Sequence, residues 1–221
     1  ISTTNCVDYI SHSVIVFGVM TYLKMNFSCF FTCVYLFLFV SNPLLTAKNT
    51  INGDSLYTAE YITNIYISDP ERALQLLDEA EDRNSMPTYI INDLRSMSYR
   101  NMYMLKLAFA YARKSYIEDS ISQNTPEHLL KMTVTLAELS FLLSEYSESM
   151  KYAIQGIKMA QEKENKKAES KLFFCIGENK RMLSFKEEGY ENFDKAIQLL
   201  GDTQDLKEMA MLSYFYGVKM G

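Results

Sequence analysis

The sequence predicts an all-α protein in which antiparallel helix pairs stack as a solenoid with a repeat of about 40 residues. Three observations carry that prediction. Apolar residues make up 48% of the 221, with only eight Gly and four Pro, a balance that favours helices over a turn-rich β fold. From residue 55 onward, apolar positions recur at helical spacing between short polar breaks. Small residues also recur at a fixed interval: Ser96, Ala137, Gly177 and Gly217 are 41, 40 and 40 residues apart. Self-similarity at such a period is the signature of stacked helical units.

Residues 1–19 open on Ile and read as an upstream extension. From Met20, Lys24 precedes an apolar run from Phe27 to Val40 and a small-residue end at Thr46-Ala47. That order is the layout of a secretory signal peptide over 20–47, and the run falls short of the roughly 20 residues that span a bilayer. An exported product in the periplasm or cell envelope is therefore expected, with an uncleaved anchor as the other reading. Residues 48–54 form a linker. Cys6, Cys29 and Cys33 precede it, so only Cys175 remains beyond, and neither an internal disulfide nor a cysteine metal cluster is expected.

The helical part divides into 55–86, 87–124, 125–164, 165–203 and a partial copy at 204–221. The first copy holds "DPERALQLLDEAEDR", where Asp69 offers an N-cap, Pro70 a first helical residue and Glu71 an early acid. Thr125-Pro126-Glu127 repeats the device. Twelve residues after Ser96, Ala137 and Gly177 stand Ala108, Ser149 and Gly189; nineteen after them stand Ser115, Gly156 and Ala196. Small residues at both places let the first helix of a pair cross the second closely, while the large residues between them fill the layers. Each pair buries its apolar side only by stacking on the next. "MAMLSYFYGVKMG" opens a fifth copy at Gly217 without a second helix after it, so the chain is expected to be part of a longer protein.

These residues resemble the tetratricopeptide repeat family. The best copy is Phe173, Ile176-Gly177, then Gly189, Phe193 and Ala196, within "FFCIGENKRMLSFKEEGYENFDKAIQLL". The resemblance covers 55–221, with departures: Ser140 and Lys180 stand where the family has Tyr, and the copies exceed the family's length of about 34 residues. It implies a right-handed superhelix, a concave groove lined by first helices, and a protein or peptide as ligand. "YAIQGIKMAQEKENKKAESKLFFCIG" is also similar to the amino-terminal repeat domains of bacterial envelope regulators. That similarity implies the exported sensor part of a signal-transduction or transcription regulator. A stand-alone cell-envelope scaffold and a cytosolic peptide-responsive regulator are the alternatives.

Carried over position by position, the family's ligand contacts fall on Asp93, Met97, Arg100 and Asn101 in the second copy. They fall on Lys131, Val134, Glu138 and Phe141 in the third, and on Lys171, Phe174, Glu178 and Arg181 in the fourth. Lys and Arg would meet ligand carboxylates, and Phe141 and Phe174 would give apolar contact. No catalytic residue, metal or cofactor is expected: no phosphate loop, dinucleotide-type glycine turn or zinc signature is present. The net charge of −5 argues against a nucleic-acid surface. His128 reads as an exposed helix-start histidine, with no second histidine beyond residue 47 to share a metal. Cys175 reads as a small buried residue, too far along its helix to reach His128 as a nucleophile reaches its base. The paired acids Asp78/Glu79, Glu81-Asp82 and Glu187-Glu188 fall in turns or on solvated faces.

Overall fold

The computed structural model describes residues 53–122, 125–201 and 203–220. The chain divides into two compact units, 1–50 and 51–221, and every described residue belongs to the second. The leader expected over 20–47 lies outside the described residues. A 3-10 turn at Gly53–Tyr57 leads into α1 (Ala59–Ile65) and α2 (Pro70–Asp82). Then follow α3 (Thr88–Asn101), α4 (Leu105–Ser122), α5 (Pro126–Leu142), α6 (Tyr146–Glu162), α7 (Lys166–Met182), α8 (Lys186–Leu200) and α9 (Leu206–Met220). No strand occurs among the described residues. Each helix packs on the next, from α3 through α9, giving the expected solenoid of antiparallel helix pairs, tetratricopeptide-like in its pairing.

Within each pair the helices touch where the small residues predicted. Ser96 Oγ donates to the Ala108 carbonyl across α3 and α4 at 2.8 Å. In the next pair the hydroxyl comes from the other helix, with Ser149 Oγ donating to the Ala137 carbonyl at 2.8 Å. In α7 and α8 both residues are glycine. A Cβ on Gly177 would lie 2.5 Å from the Phe193 ring and 2.9 Å from the Gly189 carbonyl oxygen. Further along, Ser115 Oγ donates to Tyr89 O, and Ser170 Oγ to Ala196 O, each at 2.7 Å. Gly217 holds the same place in α9, yet a Cβ there would meet nothing within 4 Å.

The turns repeat as faithfully as the crossings. Asn84, Tyr103, Ser144, Glu164 and Ser184 all have left-handed backbones, with φ from 49° to 70°. After each, the next N–H closes the helix end by donating to a carbonyl five residues back at 2.8–3.0 Å: Ser85 to Ala80, Met104 to Tyr99, Glu145 to Ser140, Asn165 to Ala160 and Phe185 to Lys180. This is the Schellman closure, usually built on glycine. Here no glycine occupies the strained position, so the sequence conceals it.

Helix starts follow the expected chemistry only in part. The Asp69 side chain accepts from Arg72 N at 3.0 Å ahead of Pro70, and Asn165 accepts from Ala168 N at 3.0 Å. Thr125 precedes Pro126 in the same way but does not cap α5. Its hydroxyl donates instead to Asp119 Oδ1 at 2.6 Å, because α4 brings a buried carboxylate within reach.

Candidate functional site

First helices also pack directly at two junctions, α1 on α3 and α5 on α7, while α3 and α5 are joined by side-chain ion pairs. Among the described residues, the second helices α4, α6 and α8 make no comparable contact with each other. The positions that the first helices leave toward solvent beside these junctions are the candidate binding face.

The structure sorts the predicted residues into three groups. Most of the charged ones neutralise each other. Lys131 Nζ donates to Asp93 Oδ2 at 2.5 Å, joining α5 to α3. Arg100 Nη1 donates to Glu138 Oε2 at 2.7 Å between the same helices. Arg181 holds Glu178, one turn back on α7, through Nε at 3.1 Å and Nη2 at 3.3 Å. Donating these hydrogen bonds to Glu178 raises the Arg181 pKa against the opposing effect of burial. Asn101 Nδ2 donates to the Tyr66 carbonyl at 2.9 Å. The expectation of cations waiting for ligand carboxylates is corrected to that extent: three of the four already hold an acid within the fold. Lys171 has no ion-pair partner among the described residues.

A second group is apolar and open. Met97 and Phe141 are half-buried, and Leu142, a residue not expected from sequence, follows Phe141 at the end of α5 with 47% exposure. A third group lies in the core. Phe174, expected to line the groove, is 8% exposed, and so is Val134. Val134 joins the apolar cluster with Ala160 and Ala168, whereas Phe174 is covered by α9: Phe215 stacks on it with ring centroids 4.0 Å apart and planes 9° from parallel, and Phe193 and Tyr214 close in at 5.1 and 5.4 Å. Asp93 and Glu178 are also buried, and each meets its cation from beneath the surface.

Cys175 is buried, as expected. Burial pushes its thiol pKa up to about 11, although Ser149 and Asn179 hydrogen-bond to it. Its thiolate is therefore scarce near neutrality, and the residue serves packing rather than nucleophilic chemistry.

His128 departs most from expectation. It opens α5, but its side chain is only 10% exposed, and both ring nitrogens face acids. Nδ1 lies 3.0 Å from Asp119 Oδ2 on α4, and Nε2 lies 3.2 Å from Asp93 Oδ2 on α3. The two carboxylates are 5% and 1% exposed. Tyr89 lies edge-on to the imidazole, centroids 4.9 Å apart. Asp93 Oδ1 is buried without a hydrogen-bond partner. Burial disfavours the imidazolium, but the hydrogen bonds and charges of Asp93 and Asp119 outweigh it and raise the pKa above 6.5. A lone histidine suggests a metal ligand or a base for Cys175, and neither reading points to the two acids that surround it. A signal was available, since one repeat later the same place holds Ala168, an inward-facing residue.

A second cluster holds the first two repeats together. Arg95 on α3, its side chain 9% exposed, donates to Asp78 at 2.6 Å and Glu81 at 2.7 Å on α2. Two acids placed on a solvated face by sequence thus clamp a buried guanidinium. Among the described residues no group of three or more His, Cys, Asp or Glu is arranged to hold a metal ion, and no helix is long and apolar enough to cross a membrane.

No protein-family model matches the chain, and no curated protein matches it by sequence. Solved structures do match. One, described as "MamA RS-1 ArsTM double mutant", aligns at 17% identity with a TM-score of 0.49, covering 73% of this chain and 84% of that one.

Proposed function

We propose that residues 55–221 are a non-enzymatic module that binds a protein or peptide segment along its first helices. The observation that carries this reading is the direct packing of α1 on α3 and of α5 on α7. That packing, with the Asp93–Lys131 and Arg100–Glu138 ion pairs between α3 and α5, gathers Met97, Arg100, Lys131, Glu138, Phe141 and Lys171 onto one side of the first helices. A face whose charges are already paired, with half-open Met97 and Phe141 between them, suits a segment that buries apolar side chains and adds few charges of its own. Lys171 is the cation left for a ligand carboxylate. The role we assign to the module is the exported sensor part of a signal-transduction or transcription regulator. It rests on the leader-like order of Lys24, the apolar run at 27–40 and Ala47, and on the resemblance described from sequence.

The test is selection of peptides from a random display library on the full chain, followed by binding to a Met97→Glu, Lys171→Glu variant whose helical content matches the parent. Affinity should fall by about tenfold or more, each lost contact at a buried interface centre being worth upwards of 1 kcal/mol. Selected peptides that bind the variant as well as the parent would exclude this face.

A further inference from the structure

Three repeat positions carry ions at one seam of the stack and hydrocarbon at the next. Asp93, Asp119 and His128 join the second repeat to the third. Their counterparts, 41, 41 and 40 residues later, are Val134, Ala160 and Ala168. Those three lie together in one apolar core cluster with Leu130, Leu172 and Ile176, where the third repeat meets the fourth. The helical geometry therefore accepts hydrocarbon at these places. The ionic version is a property of this seam, not a requirement of the fold.

We propose that His128 is a proton-operated clasp between the second and third repeats, closed when its ring bridges Asp93 and Asp119 and released when it loses a proton. Only the consequence for ligands rests on the binding-face reading: Asp93 also holds Lys131, so release changes the charge of that face.

The mechanics follow from donor counting. An imidazolium has two N–H groups, one for Asp119 Oδ2 and one for Asp93 Oδ2. A neutral imidazole has one, so a ring lone pair then faces a buried carboxylate. Other groups around the ring do not replace the lost proton. From α3 come Asp93 and the Tyr89 phenol; from α4 come Asp119 and Glu118, which accepts from Asn92 Nδ2 at 2.9 Å. From α5 come Lys131, 49% exposed, and Glu127, which is drawn outward to Lys163 of α6 at 3.1 Å. Lys131 still holds Asp93 and the Thr125 hydroxyl still donates to Asp119, so loss of the ring proton removes one positive charge and one donor from the cluster. Because the folded pKa is raised, the clasp's contribution is complete below the unfolded value of about 6.5. It is lost as pH rises through the higher folded value.

The test compares amide hydrogen exchange in the full chain at about pH 6 and about pH 9, corrected for the intrinsic rate, a range that brackets a raised imidazole. Protection in α3, α4 and α5 should fall by about threefold or more relative to α7 and α8 as pH rises. In His128→Gln that differential should vanish. A triple exchange, Asp93→Val with Asp119→Ala and His128→Ala, copies the next seam and should give a folded chain whose α3–α5 protection ignores pH. Equal loss of protection at both seams in the parent would overturn the proposal, as would a pH differential that survives in His128→Gln. Should the triple variant fail to fold, these two comparisons still decide. No ligand enters these measurements, so their failure leaves the binding-face reading standing, and loss of that reading leaves the clasp.

Discussion

The seam between α4 and α5 and the seam between α6 and α7 are made at the same repeat positions from opposite materials. At the first, a histidine lies between two carboxylates that water barely reaches. At the second, a valine and two alanines close the gap in an apolar cluster. Stacked repeats require that neighbouring surfaces fit, and either filling fits. They differ in what happens when one member is lost. Hydrocarbon contacts fail piecemeal, by area removed. A buried ion cluster fails as a unit, because the partner left behind has no water to turn to. The ionic seam is no better a glue than the apolar one, but it answers to pH.

The largest effect should come from breaking the ionic seam at its centre. His128→Leu fills the space but leaves Asp93 and Asp119 buried opposite a side chain that donates nothing. Removing one partner of a buried charge cluster costs about 3–5 kcal/mol, and denaturant unfolding near neutral pH should show a loss of that size. A loss below about 1 kcal/mol, the range of an exposed pair, would mean that the two seams do not differ as described.

The corresponding change at the apolar seam should cost less. Ala168 sits at the place of His128, in the first turn of α7, nearly covered and capped through its N–H by Asn165. Ala168→Leu overfills that site, and added methylene groups in a packed core cost about 1–3 kcal/mol. The loss should be flat with pH, because no titrating group is stranded. Ranking the two variants by unfolding midpoint separates ionic from steric failure at one repeat position.

How much of this was legible in the sequence depended on whether the physics is written in residue size or in residue surroundings. The crossings were legible because close approach admits only small residues, and Ser96/Ala108, Ala137/Ser149 and Gly177/Gly189 state this in side-chain volume. Phe174 falls on the open face by its repeat position alone, but α9 follows it in the stack and Phe215 covers the ring. The ion cluster was hidden because its members lie on three helices and are far apart in sequence, while each alone reads as ordinary polar surface. The turns were hidden because Tyr103, Ser144 and Ser184 hold left-handed backbones without glycine. Gly217 is the reverse case. Its identity suggests a crossing, and its surroundings supply none.

The smallest effect tests the turns that close the helices. Glu164 closes α6 at the apolar seam with φ of 53°, and the following N–H, of Asn165, donates to the Ala160 carbonyl at 2.9 Å. A Cβ in the left-handed region costs roughly 1–2 kcal/mol. Glycine would remove that strain while giving back about 0.5–1 kcal/mol of backbone entropy. Glu164→Gly should therefore stabilise the chain by up to about 1 kcal/mol. Ser184→Gly, in a turn within the fourth repeat, should gain a similar amount, since its φ is 70°. The strain belongs to the turn and not to the seam, so both gains should persist unchanged in the His128→Leu background, the sites being independent. A gain from Glu164→Gly that disappears in that background would show that the turns report the packing of the neighbouring seam, and that the ionic and apolar junctions are coupled through the stack.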